Sequence, residues 1–259
     1  MKKVFVIKIG IMLIFLLFLS YCTKKPAGIQ TISDLNNLTI GVPQGTVANI
    51  LLLEVVPDAN LLYFESTLAA SEALQEGRID AVVYDLPILQ NIIAMGGEFR
   101  ILEELISHDN YAFAVNRDNH ELKHSIDDTI EILNQVNYFD EMRSRWIPEI
   151  GYPVGFEDYG FTAINGVLRF GTAPITKPFS YYDENGKIAG FDIELATIIA
   201  HSIGMDLEIV EMNFGQLIPA VISGQVDMIG AFLTITEARA ESILFSIPYY
   251  KAGLGVMVK

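Results

Sequence analysis

The amino-acid sequence predicts an α/β chain built of two similar lobes, each a mainly parallel sheet flanked by helices. Three observations carry that prediction. Short apolar runs of strand length alternate with amphipathic helical segments along the chain, the pattern of βαβ units. The order helix, Gly, one residue, Ile or Val, Asp, strand occurs twice, at 73–81 and at 220–228. The hydrophobicity is high, with 51% apolar residues and a mean hydropathy of +0.35, but it is distributed over these short runs. At roughly 150 residues per domain, a chain of 259 residues fits one large or two small domains.

The first block opens with the buried strand Leu38-Thr39-Ile40-Gly41-Val42, then the turn Pro43-Gln44-Gly45-Thr46 and an apolar helix over 47–55. Residues 60–64 read as a strand and 68–76 as a helix. Gly77 then closes that helix, since glycine adopts φ > 0 without a Cβ clash. A buried strand ending at Tyr84-Asp85 and a helix over 86–95 complete the block. Two helices follow, 121–136 and 139–146, and then a stretch rich in Gly and aromatic residues, 151–166, that reads as a linker.

The second block repeats the plan. It has a strand at 168–172, a hairpin around Asp183-Glu184-Asn185-Gly186, whose Asn-Gly suits a tight turn, and a helix over 191–203 with apolar residues at 191, 195, 198, 199 and 203. A strand at 206–211, a helical stretch at 214–222 with Pro219 in its first turns, and a strand at 226–230 close the unit. Two such lobes facing each other place the loops at their strand ends around one cleft, where open α/β sheets bind ligands.

The first thirty residues read differently. Lys2, Lys3 and Lys8 precede the apolar block Ile9–Leu19, and the chain turns polar at Thr23-Lys24-Lys25-Pro26. These are the n-region and h-region of an export signal. The block is shorter than the roughly 20 residues that span a bilayer, so a multi-pass membrane protein is excluded. Cys22 is the single cysteine. It excludes an intramolecular disulfide framework and any zinc site that needs two thiolates from this chain. Leu19-Ser20-Tyr21-Cys22 resembles the lipobox of bacterial lipoproteins, with Tyr21 where a small residue is usual; a plain signal peptide or an uncleaved anchor is the alternative. With 32 acidic against 17 basic residues and a net charge of −15, the chain is no nucleic-acid binder, because a phosphate backbone requires a positive surface.

The chemistry concentrates in Leu233-Thr234-Ile235-Thr236-Glu237-Ala238-Arg239-Ala240-Glu241. Hydroxyls, backbone N–H groups at a helix start and the Arg239 guanidinium can converge there on one anion, and a guanidinium fork matches a carboxylate. Spacing alone equally allows an ordinary N-cap with a solvated arginine. It likewise allows Asp85 to be the N-cap of the helix after it. His120 and His124 stand at i, i+4 without an evident third ligand, no nucleotide-loop or hydrolase motif is present, and the 183–186 turn lacks the later glutamate of a calcium loop. No metal and no cofactor is expected.

At this point the sequence resembles a family, the extracellular amino-acid-binding proteins of ABC transporters, solute-binding protein family 3. The matching words are Lys177-Pro178-Phe179-Ser180-Tyr181-Tyr182 through Asp192, Leu217-Ile218-Pro219-Ala220, Ser223-Gly224-Gln225-Val226-Asp227, Thr234 through Glu241, and Phe245-Ser246-Ile247-Pro248-Tyr249-Tyr250. Residues 33–150 match as well, through Ser33-Asp34-Leu35, Ile40 through Thr46, Asp80 through Asp85 and Trp146. The resemblance implies a two-lobed, type II periplasmic-binding-protein-like fold, but in permuted order. The chain then divides into a lipoprotein signal and lipobox (1–22), the family's second lobe (33–110), a hinge crossing with the helices that return to the first lobe (111–150), a linker (151–166) and the first lobe (167–259). A circular permutation that keeps one copy of each lobe fits this order; a piece of a tandem array is the rival. The permutation reading also expects the chain ends to interrupt one of the two interlobe crossings and leave the other near Tyr111–Asn116.

The resemblance implies the following roles. Arg239 holds a ligand α-carboxylate with the Thr234 hydroxyl and nearby backbone N–H groups, including those beside Leu233; the Gly45-Thr46 turn donates from the other lobe. Asp85 holds the α-ammonium, and Phe214 packs on the ligand. A zwitterion does require a fixed cation, a fixed anion and an apolar wall. Ala173-Pro174-Ile175-Thr176 and Pro43 depart from the family pattern and leave the ligand's side chain open. The expected protein is a binding protein and not an enzyme: lipid-anchored through Cys22 outside the cytoplasm, closing on an amino acid and delivering it to an ABC permease. A ligand-sensing module and a dehydratase-like enzyme on the same fold are the alternatives.

Overall fold

The computed structural model describes residues 28–155 and 160–259; the expected export signal, lipobox and Cys22, and residues 156–159 of the linker, lie outside the described residues. Among the described residues, no helix is long and apolar enough to cross a membrane. Residues 31–259 form one compact unit, built on two five-stranded sheets with a three-stranded and a two-stranded one beside them.

The first sheet is built from β1 (Thr39–Pro43), β2 (Asn60–Phe64), β3 (Ala81–Asp85), β4 (Arg100–Ile101) and β15 (Leu254–Val258), in the order β2-β1-β3-β15-β4. β1 runs parallel to β2 and β3, and β15 runs antiparallel to β3 and β4. Helices α1 (Ala48–Val55), α2 (Thr67–Gln75) and α3 (Leu86–Ala94) connect and cover it. β3 is buried along its whole length, as its unbroken Ala-Val-Val-Tyr-Asp run requires in a strand covered on both faces. Ser66 starts α2 by accepting a hydrogen bond from the Ala69 amide at 3.2 Å, and Gly77 takes φ +74 just beyond its end.

The second sheet has the order β11-β7-β12-β6-β13, from β6 (Ala114–Asn116), β7 (Val167–Thr172), β11 (Asp206–Glu211), β12 (Met228–Ile229) and β13 (Ile243–Phe245). β7 is parallel to β11 and β12, whereas β6 is antiparallel to β12 and β13. A small sheet of β8 (Ile175–Thr176), β9 (Ser180–Tyr182) and β10 (Ile188–Ala189) carries the expected hairpin. Helices α4 (His120–Gln135), α5 (Tyr138–Trp146), α6 (Phe191–Ser202), α7 (Leu217–Ile222) and the single turn α8 (Glu237–Ala240) belong to this lobe. Inside it Glu194 is fully buried yet satisfied, accepting from Tyr138, from both Nη atoms of Arg145 and from the Trp146 indole. That network ties the returning helix α5 to α6, and a Thr129–Ser202 hydroxyl pair at 2.8 Å ties α4 to it. The architecture is the two-lobed type II periplasmic-binding-protein-like α/β fold, with mixed sheets in place of mainly parallel ones.

The chain passes between the sheets twice. The segment after β4 runs through β5 (Asp109–Tyr111) into β6, and the segment after β13 runs through β14 (Tyr250–Ala252) into β15. β5 and β14 pair antiparallel, Tyr250 opposite Tyr111 and Ala252 opposite Asp109. Two expectations change accordingly. Both crossings are present within this chain, so its ends interrupt neither. Residues 254–258, grouped by sequence with the lobe of 167–259, sit instead in the other sheet beside β3, because the apolar run Leu-Gly-Val-Met-Val fills the slot between β3 and β4.

Candidate functional site

The site lies where the paired crossings meet the ends of the two sheets. Asp85 is the last residue of β3, 5% exposed, and pairs in register with Leu254. It holds the N-cap position of α3, but its side chain caps nothing. Its carboxylate Oδ1 instead accepts the hydroxyl of Tyr111, a fully buried residue of β5. Burial pushes the Asp85 carboxyl up to about 7; the Tyr111 hydrogen bond and the Arg239 charge pull it down, and Asp109 pushes it further up. Burial first, and then the Asp85 charge, push the Tyr111 hydroxyl up.

Arg239 comes from the other lobe, on α8. Its Nη1 donates to the Thr234 carbonyl at 2.8 Å, and its guanidinium carbon lies 5.6 Å from the centre of the Phe214 ring. Burial lowers its pKa, while the charge of Asp85 opposes that shift. Asp85 and Arg239 thus act on each other electrostatically although they form no direct ion pair among the described residues. A buried carboxyl and a partly buried cation held apart both gain from a zwitterion placed between them.

The expected residues are arranged as follows. Thr234 is buried and bridges Tyr111 in register, the Leu233 carbonyl accepts from the Ala112 amide at 3.1 Å, and the Ile235 amide donates to Asn110 at 2.8 Å. The 233–235 segment is therefore stitched along the first crossing, next to Asp85. Phe214 begins a short 3₁₀ turn, Phe214–Gln216, and lies under Arg239. Thr236 is an N-cap, its hydroxyl accepting from the Arg239 amide at 3.3 Å. The anion-binding helix start expected there amounts to one turn of helix, so Arg239 rather than a helix terminus supplies the positive charge. Gly45 sits at φ +75 in the turn after β1. The Thr46 hydroxyl is used locally, donating to the Pro43 carbonyl at 3.0 Å and accepting from the Ala48 amide at 3.4 Å.

Four aromatic residues outside the expected set pack together here. Phe232 stacks on Tyr111 with ring centres 3.7 Å apart and on Phe179 at 3.6 Å, and Tyr250 meets it edge-on at 5.3 Å. Phe232 has φ +54, rare for a bulky side chain. The conformation is held from behind: the Phe232 amide donates to buried Asp192 at 2.6 Å, and the Tyr249 hydroxyl donates to the same carboxyl at 2.7 Å. Burial pushes the Asp192 carboxyl up to about 7. No sequence pattern announces Phe232, whereas Tyr111 lies on the crossing that the sequence does locate. Among the described residues, no group of three or more His, Cys, Asp or Glu could hold a metal.

Comparison with known proteins finds similarity over part of this chain. Residues 168–259 match the model of bacterial extracellular solute-binding proteins, family 3. That segment belongs to this family. A probable histidine-binding protein of Campylobacter jejuni is 43% identical over 83 residues, 32% of this chain and 32% of that protein. A cyclohexadienyl dehydratase of Pseudomonas aeruginosa is 36% identical over 89 residues, 34% of this chain and 33% of that enzyme. Among solved structures, the arginine-bound domain 1 of TmArgBP is 38% identical, covering 36% of this chain and 79% of that one at a TM-score of 0.33. The chain spans about a third of the length of the curated relatives it matches. The family match, residues 168–259, includes Arg239, and the two curated relatives are a probable binding protein and a dehydratase.

Proposed function

We propose that the chain is an extracytoplasmic receptor that closes its lobes on an amino acid or a similar small zwitterion. Arg239 and the Thr234 hydroxyl hold the α-carboxylate, with backbone N–H groups beside Leu233 and from the Gly45-Thr46 turn. Asp85 takes the α-ammonium, exchanging the Tyr111 hydroxyl for it, and Phe214 forms the apolar wall. The observation that carries this reading is the pair of buried Asp85 and partly buried Arg239, electrostatically coupled but not in direct ion-pair contact. Hinge closure about the paired crossings β5 and β14 would bring the lobes onto the ligand. The lobe order is that of a circular permutation retaining one copy of each lobe; a piece of a tandem array is the competing arrangement. Cys22 would carry acyl chains that hold the receptor at the membrane, each buried methylene contributing about 0.8 kcal/mol, and an ABC permease would receive the ligand.

Calorimetry against a panel of amino acids tests the reading. It expects one-to-one binding of at least one amino acid, lost on Arg239→Ala. A second reading, a dehydratase-like enzyme on a small carboxylate, draws on the dehydratase among the relatives and on a buried carboxyl, Asp85, poised near neutrality. Ligand consumption during the same titration would select it over simple binding.

A further inference from the structure

Away from the Asp85–Arg239 junction, a cavity of about 490 Å³ opens beside the second crossing. Its walls are Ile247, Pro248 and the two tyrosines Tyr249 and Tyr250 on one side, with Arg143 of α5 and Lys251 of β14 at its polar end. Both charged lining residues are cations, on a chain that carries a net charge of −15. Arg143 is half-exposed and shares its guanidinium with Asp140, itself largely exposed. A guanidinium has five N–H donors, so one carboxylate does not exhaust it. Arg143 and Tyr250 line the same cavity, and the Arg143 charge opposes the burial that pushes the Tyr250 hydroxyl up to about 12. Asn134, at the end of α4, adds an amide to the rim.

We propose that this cavity is a second binding site, separate from the cleft, for a small organic polyanion such as a di- or tricarboxylate. The two cations and the Asn134 amide meet its charges, and Pro248 and the Tyr250 ring pack against its carbon body. Charge-assisted contacts of this kind are the strong ones at partly exposed sites, and a polyanion would compete with Asp140 for Arg143. The site borders the hinge strand β14, which supplies Tyr250 and Lys251, but it contains neither Asp85 nor Arg239, so it does not rest on the amino-acid reading.

Citrate is the probe. Titration of the full chain with citrate, against sodium chloride at matched ionic strength, should show saturable one-to-one binding. Arg143→Gln combined with Lys251→Gln should weaken it by at least about tenfold, the loss of charge-assisted hydrogen bonds. Asp140→Asn should tighten it, since the competing carboxylate is gone. Far-UV circular dichroism checks that these surface variants remain folded. Heats no larger than those of sodium chloride, citrate binding unchanged in the double variant, or Asp140→Asn binding no tighter would each overturn the proposal. Amino-acid binding measured on Arg143→Gln alone, a change on α5 outside both crossings, keeps this outcome separate from the fate of the cleft.

Discussion

Tyr111, on the first crossing between the lobes, gives its phenolic hydrogen to Asp85 at the end of β3. The bond fastens a hinge strand to the buried carboxylate of the site, and Phe232, stacked on the same ring, ties it to the lobe that bears Arg239. Lobe geometry and site charge are therefore set by the same contact.

Removing that hydroxyl should be felt in both. Tyr111→Phe leaves Asp85 buried without its donor, a loss of about 1–3 kcal/mol of folding stability. The Asp85 carboxyl should titrate above its present value of about 7, because the hydrogen bond is one of the influences holding it down. Urea unfolding and the carbon chemical shift of the Asp85 carboxyl across pH measure the two effects.

Asp85 and Asp192 make stability depend on pH in a defined direction. Both carboxyls are raised by burial to about 7 in the folded state, against about 4 in the unfolded chain. Between those values the native state binds more protons than the unfolded one, so the stability these two groups contribute is full below about pH 4 and is lost as pH rises through about 7. Asp192→Asn should flatten that part of the profile. Melting temperatures of the ligand-free protein at half-unit steps from pH 4.5 to 8 show it.

The crossings pack too closely for a methyl group. A Cβ on Gly253 would lie 1.9 Å from the carbonyl oxygen of Ser107. Gly253→Ala should therefore push the crossing segments apart and cost about 1–3 kcal/mol, the usual range for overpacking. Gly215→Ala, where a Cβ meets nothing within 4 Å, is the matched control in the same chemical denaturation.

Much of this architecture is legible in the sequence, for identifiable reasons. Strands such as 81–85 and 206–211, and helices such as 191–202, declare themselves because one apolar run or one periodic face is long enough to be recognised. The crossings do not. β5 and β14 are three residues each and pair over a large separation in the chain, so nothing local marks them. Adjacency in sequence groups residues 254–258 with the wrong sheet, since the three-residue crossing β14 that carries them over is not visible there. At the site, Arg239 and Asp85 are each ambiguous by spacing and gain meaning from the resemblance. What no pattern conveys is that Asp85 turns from its helix cap to Tyr111. That choice is made by residues 26 positions apart once the fold brings them together.

If the two charges hold a zwitterion, each should be needed in its own way. Arg239→Ala should weaken amino-acid binding by at least about 30-fold, the scale of losing one partner of a buried charge pair. Arg239→Lys should recover only part, since an ammonium lacks the fork that matches a carboxylate. Binding by the wild type should also tighten as pH rises through about 7, where Asp85 becomes the carboxylate that an ammonium requires. Calorimetric titrations at pH 6 and pH 8 read both effects.

The most direct measurement is a crystal structure of the chain with the amino acid that calorimetry selects. The account predicts the ligand carboxylate on the Arg239 guanidinium and its ammonium on Asp85, with the Tyr111 hydroxyl displaced from that carboxylate and both lobes supplied by one chain. A ligand bound elsewhere, or one that leaves the Tyr111–Asp85 hydrogen bond in place and touches only Arg239, would contradict it.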